Sequence, residues 1–156
     1  MPHFGYSIDL EKLDKSKIAI ASGRELPISF KAAREVCNVI RGMRLDEAKK
    51  ILEEVINLKR PIPFKRFNKK GAHRKGLQGW HTGRYPVKVA KHILKVLENA
   101  EANAEFKGLD LEKLWIKHIC AQKGRKIKRY IPRAFGRSTP ECEQLTHIEV
   151  VLEERE

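Results

Sequence analysis

Apolar residues recur along the chain with two distinct periods, and those periods predict its elements. Lys17-Ile18-Ala19-Ile20-Ala21-Ser22 alternates in the manner of a strand. A helix is predicted from near Ser29, whose hydroxyl suits an N-cap, with Phe30, Ala33, Val36, Cys37 and Ile40 on one face. Gly42 ends it, and Arg41 in its last turn complements the negative end of the dipole. A second helix is expected from about Leu45 to Leu58, with Asp46 and Glu47 in its first turn. Leu45, Ala48, Ile51, Leu52, Val55 and Ile56 form its apolar face. A third begins around Pro86, tolerated at a first helical position, and carries Val89, Ala90, Ile93, Leu94, Val96, Leu97, Ala100 and Ala104 toward Gly108.

The period then changes to two. Leu111 to Ala121 reads as a strand, with Leu114, Ile116, His118 and Cys120 on one face and Trp115, Lys117 and Ile119 on the other. Thr146 to Leu152 sets His147, Glu149 and Val151 against Ile148, Val150 and Leu152. Three helices covering one face of a small three-stranded antiparallel sheet give an α+β fold, in one domain spanning 1–156.

Two segments fall outside that core. Residues 59–85 contain Gly71, Gly76, Gly79, Gly83, Pro61 and Pro63, which break any regular element, and form a basic Gly-rich insertion loop. Phe64, Phe67, Trp80, His81 and Tyr85 interleave its cations, either to stack on exposed bases or to pin the loop to the domain. Its composition favours a loop that orders only on a partner. Residues 122–144 join the last two strands and suggest a long protruding β-hairpin, each arm reaching roughly 30 Å at about 3.3 Å per residue. Ile127, Ile131 and Phe135 are too few to build a core there, so something outside the chain must order it.

Charge identifies that something. The 33 Lys and Arg against 20 Asp and Glu leave a net charge of +13. No acid occurs between Val55 and Leu97, or between Lys113 and Pro140, and these two tracts hold 21 of the 33 cations. A balance this basic calls for a polyanion, and cations interleaved with aromatics favour nucleic acid over a membrane surface. The candidate RNA contacts in the loop are Lys59, Arg60, Lys65, Arg66, Lys69, Lys70, His73, Arg74, Lys75, Trp80, His81 and Arg84. Those in the hairpin are Lys123, Arg125, Lys126, Lys128, Arg129, Arg133 and Arg137.

Little points to catalysis. Carboxylates avoid both basic tracts, so no Asp or Glu pair stands ready to hold Mg²⁺ for nuclease chemistry. Cys37, Cys120 and Cys142 form no C-x-x-C pair, which argues against a zinc site or a disulfide framework and fits reduced thiols in the cytoplasm. His118 and Cys120 share a strand face at i, i+2 and can be a thiolate pair or two packed residues. No phosphate-binding glycine motif, apolar membrane span or secretory signal is found, so neither an enzyme, a cofactor nor a membrane partner is expected.

Four stretches carry a family likeness. They are Ser29-Phe30-Lys31-Ala32-Ala33-Arg34 with Ile40-Arg41-Gly42, the run Leu97-Glu98-Asn99-Ala100-Glu101-Ala102-Asn103-Ala104, the segment Arg129 to Arg137 (RYIPRAFGR), and His147-Ile148-Glu149-Val150-Val151. In them, over about residues 15–154, the chain resembles the universal L-twenty-two family of large-ribosomal-subunit proteins, called L-seventeen in eukaryotes. The loop around Arg66-Phe67-Asn68 and Gly83-Arg84-Tyr85-Pro86 resembles the archaeal and eukaryotic branch. An end at Glu156, without the long tail of eukaryotic members, favours the archaeal form. The resemblance implies a structural, non-enzymatic constituent of the cytoplasmic large subunit that binds its ribosomal RNA and helps RNA domains assemble. Its partners would be that RNA, neighbouring large-subunit proteins and the nascent polypeptide, with no homo-oligomer. The hairpin tip would line the nascent-polypeptide exit tunnel through Tyr130, Ile131, Pro132, Arg133, Ala134, Phe135 and Gly136. The alternative is a free-standing architectural nucleic-acid-binding protein that uses the hairpin as a basic β-ribbon arm.

Overall fold

The computed structural model describes residues 5–155. Its elements run β1 (Ile18–Leu26), α1 (Phe30–Ile40), α2 (Leu45–Ile56), β2 (Ile62–Pro63), β3 (Gly83–Arg84), α3 (Val87–Phe106), β4 (Leu114–Pro132) and β5 (Ser138–Glu154). The main sheet is antiparallel in the order β1-β5-β4, and β2 pairs with β3 in a separate two-stranded ribbon. The expected α+β architecture of three helices on a three-stranded sheet is therefore present.

The helices form where the apolar period placed them, because each buries one stripe. Ala33, Val36, Cys37 and Ile40 of α1, Leu45, Ala48, Leu52 and Val55 of α2, and Ala90, Ile93, Leu97 and Ala100 of α3 meet Leu114, Ile116, Ile119, Ile148, Val150 and Leu152 of the sheet. Each fully buried Leu or Ile contributes about 1.5–3 kcal/mol relative to exposure. Small residues on α1 and α3 let the helices lie close to the strands beneath them.

The helix ends differ from expectation. Ser29 sits at the N-cap of α1, but its hydroxyl makes no capping bond. Arg41 reaches past its own helix and donates to the Ile119 carbonyl at 2.8 Å from one nitrogen and 3.3 Å from another. It stands at the C-cap rather than in the last turn, and it ties the helix end to β4. Gly42, at φ 77°, lets the chain turn back so that its amide donates to the Ile116 carbonyl at 2.9 Å. α2 stops at Ile56 rather than Leu58, and Leu58 takes a left-handed φ of 59° as the chain leaves. Pro86 is the N-cap of α3, one residue before the first helical position.

The strands also carry corrections. Leu111–Lys113 is a turn of 3-10 helix capped by Asp110, whose carboxylate accepts the Glu112 amide at 3.1 Å, so β4 begins at Leu114. A bulge follows, because Ile116 pairs with Leu152 and His118 with Val151, which leaves Lys117 as an extra residue. An extra residue turns the following side chains over. His118 and Cys120 therefore leave the face of Leu114 and Ile116, and Ile119 and Ala121 take their place in the core. In β5 both faces are buried at its inner end, Val151 and Glu149 as well as Ile148, Val150 and Leu152. The central strand is covered by helices on one side, and Ser7 of the N-terminal segment hydrogen-bonds Glu149 on the other.

Candidate nucleic-acid interface

β4 and β5 continue past the domain as one ribbon. Their ladder runs from Leu114–Glu154 out to Pro132–Ser138, and every residue from Lys128 to Glu143 is exposed. The tip, Arg133 to Arg137, closes with the Arg133 amide donating to the Arg137 carbonyl at 2.8 Å. Phe135 and Gly136 follow one another at φ 58° and 63°, the paired left-handed geometry of a tight hairpin turn. Phe135 is 94% exposed and Tyr130 66%, so the tip presents aromatic surface with nothing of its own to pack against.

All seven hairpin cations, Lys123, Arg125, Lys126, Lys128, Arg129, Arg133 and Arg137, are exposed. The returning strand adds Glu141 and Glu143, leaving a net charge of +5 over residues 122–144. Register separates these charges by face. Ile127 faces Glu143, and Arg129 faces Glu141 with its guanidinium 3.8 Å from the Glu143 carboxylate. On the other face Lys126 pairs with Gln144, Lys128 with Cys142 and Tyr130 with Pro140, so that face carries no carboxylate. Nearer the body, Arg125 approaches Glu25 at 3.3 Å and Lys123 lies over the Phe30 ring at 5.6 Å.

The loop of residues 59–85 is folded onto the domain, against the expectation that it needs a partner for order. Ile62 and Phe64 are buried in the common core, and Phe67 packs against it. Trp80 is half-buried and donates its indole N–H to the Phe64 carbonyl at 2.9 Å. Phe64 and Trp80 thus pin the loop, the plainer of the two roles open to them, while Phe67 and Tyr85 stay half-exposed. A residue that sequence reasoning missed completes the anchor. Glu35 of α1 is 1% exposed, and its carboxylate accepts the amides of Lys65, Arg66 and Phe67 at 3.3, 3.0 and 3.2 Å. The available signal was that Glu35 is the only acid in α1 and falls within its buried arc.

With the loop so fixed, Lys59, Arg60, Lys65, Arg66, Lys69, Lys70, His73, Arg74, Lys75, His81 and Arg84 are all exposed. His73 and His81 contact edge to face at 5.1 Å, and Trp80 stacks on His81 at 5.0 Å. Arg74 lies over Tyr85 and Arg84 over Phe64, at 5.6 and 5.4 Å from the ring centroids. Lys31 and Arg34 of α1, not among the expected contacts, join Arg66 around the Phe67 ring at 5.6–6.0 Å.

One cluster has the composition of a metal or nucleophile site. His118, Cys120 and Glu149 bring their ligand atoms within 4.8 Å of one another. Glu149, however, is 2% exposed and already accepts from the Ser7 amide at 3.0 Å, the Ser7 hydroxyl and the Gln122 amide at 3.1 Å, with His118 Nε2 at 3.0 Å. Four groups from three residues, Ser7, His118 and Gln122, satisfy this carboxylate, and the network ties the N-terminal segment to the sheet. Among the described residues no helix is long and apolar enough to cross a membrane.

Comparison with known proteins places these features in a family context. A family model described as "Ribosomal protein L22p/L17e" matches residues 21–153. The large ribosomal subunit protein uL22 of Archaeoglobus fulgidus is 61% identical over 91% of this chain and 92% of its own length. The proteins of that name from Methanocaldococcus jannaschii and Methanopyrus kandleri are 59% and 56% identical, over 92% and 98% of this chain and 92% and 97% of their own lengths.

Proposed function

The chain belongs to the ribosomal protein L22p/L17e family, and on that premise we propose that it is a structural constituent of the large ribosomal subunit in the archaeal cytoplasm. It acts as a single copy that binds large-subunit ribosomal RNA beside neighbouring ribosomal proteins, without catalysis. The observation that carries the RNA reading is the shape of the charge. The loop folded on the domain and the ribbon projecting from it expose many more cations than the few carboxylates beside them, such as Glu25 and Glu54, can pair. Such cations release counterions when they meet phosphates, which lowers the repulsion that opposes close approach of RNA segments. Contacts are mainly to phosphate, sugar and RNA shape, so the free protein has weak sequence preference and a steep salt dependence.

The ribbon threads between RNA segments that confine it, and its tip, Tyr130 to Gly136, lines the exit tunnel beside the nascent polypeptide. Exposure of Tyr130, Ile131 and Phe135 without an internal partner supports this reading. A photoreactive group at Ala134, introduced during translation in an archaeal extract, tests it. Cross-links to both the growing peptide and large-subunit RNA are expected. Sedimentation free of ribosomes, with cross-links to DNA or scattered RNA, would replace the reading by that of a free architectural binder. In solution, replacing Arg125, Lys126, Arg129 and Arg133 by Ala reduces RNA affinity and flattens its salt slope. An unchanged slope contradicts the proposed role of the ribbon.

A further inference from the structure

A cleft of about 840 Å³ opens where the first turns of α1 and α3 meet the loop. That size lies within the roughly 300–1,000 Å³ typical of sites that enclose small ligands. Lys31, Arg66, Lys69, Arg84 and Lys88 line it, and no carboxylate does. Glu35 lies under the same loop, but its oxygens are taken by three loop amides and it is sealed from solvent. The cleft therefore holds a concentrated positive charge that the chain leaves uncompensated.

Its walls differ from those of a simple phosphate patch. Phe67 and Tyr85 line the same space and are only half-buried, whereas Phe64 forms the buried floor. Half-exposed rings beside cations offer a stacking surface together with neutralisation of charge. The helix starts add to this. Neither Ser29 nor Pro86 caps its helix with a side chain, and Lys31, Ala32, Lys88 and Val89, at the second and third helical positions, all line the cleft. Amides at those positions have no partner within the helix. A duplex would bring phosphates to the rim but keep its bases stacked inside, leaving the rings unmatched. An unpaired nucleotide satisfies both sets of groups.

We infer that this cleft seats an unpaired nucleotide of RNA, its phosphate among Lys31, Arg84 and Lys88 and its base against Phe67 and Tyr85. The inference rests on the RNA-binding reading above and narrows it, giving the loop a site for a looped-out or single-stranded residue while the ribbon follows backbone. A free nucleotide shares this chemistry, and the test separates the two sources.

The full chain is titrated with a labelled short oligouridylate and, separately, with an RNA duplex of matched charge, at one salt concentration. Phe67→Leu and Tyr85→Leu keep apolar bulk and remove the stacking face. Each is expected to weaken oligouridylate binding about tenfold, the scale of one lost base–aromatic stack, and to leave duplex binding nearly unchanged. Lys31→Ala with Lys88→Ala, both exposed positions, should weaken the oligomer more than the duplex without touching the core. This pair keeps the test decisive if a ring variant melts early. Unchanged oligouridylate binding in all variants, or equal losses for oligomer and duplex, overturns the cleft assignment. So does competition by adenosine monophosphate as strong as that by the oligomer, which would make a free nucleotide the ligand. Failure of the unmodified chain to bind either RNA sinks the RNA-binding reading itself, a different outcome from intact binding with an indifferent cleft.

Discussion

Glu35 shows how much of the basic loop depends on one carboxylate. Three consecutive amides converge on it in an interior position, and Arg34 stands 3.4 Å away. Glu35→Ala leaves those amides without an acceptor and should cost about 3 kcal/mol, with Glu35→Gln recovering part of the loss. Chemical denaturation measures the cost, and hydrogen exchange should show the amides of residues 65–67 losing protection first. The cysteines give a second residue-level expectation. Burial pushes the Cys37 thiol up to about 12, so its reactive thiolate is scarce at neutral pH, while Cys142 is exposed on the ribbon. Alkylation followed by mass spectrometry should label Cys142 rapidly in the native protein and reach Cys37 only when the chain unfolds. Rapid native labelling of Cys37 would contradict the packing of α1 on β4.

At the scale of elements, the ribbon has two unlike faces, and they should not bind RNA equally. Lys126 and Lys128 share a face without carboxylates, whereas Arg129 stands opposite Glu141 and near Glu143. Lys126→Ala with Lys128→Ala should reduce the salt slope of RNA binding by nearly two phosphate contacts, and Arg129→Ala by less than one. Equal slopes per residue would deny the faces any distinction. The helices were legible in the sequence because each carries a complete apolar stripe on its own residues. The ribbon was legible because strongly basic, acid-poor sequence between two strands has little to bury. The turned-over face of His118 and Cys120 was not, since the bulge at Lys117 arises from pairing with β5 and leaves no local mark. The ordered loop was hidden for the same kind of reason. Its hydrogen-bond acceptor sits some thirty residues earlier, on Glu35, and a glycine-rich composition says nothing about a distant carboxylate.

For the molecule as a whole, charge is segregated along the chain. Nine cations and no acid occupy residues 59–85, while Asp46, Glu47, Glu53 and Glu54 lie on α2 and Glu98, Glu101 and Glu105 on the second half of α3. Salt should then act with opposite signs on two properties. Moderate salt screens the self-repulsion of the free protein and raises its melting temperature, yet the same salt weakens RNA binding. Parallel thermal melts and RNA titrations over one salt series check both signs. The ribbon is not appended to the sheet, because β4 and β5 continue from the packed domain to the turn, with a second shift of register between Lys123 and Lys126 where the ribbon leaves the body. Its length is therefore quantised. A residue inserted into one arm alone must be absorbed as a new bulge or invert every side chain beyond it, whereas matched two-residue additions to both arms preserve which groups face which way. Changes of reach that keep the carboxylate-free face of the ribbon intact therefore come in such paired steps.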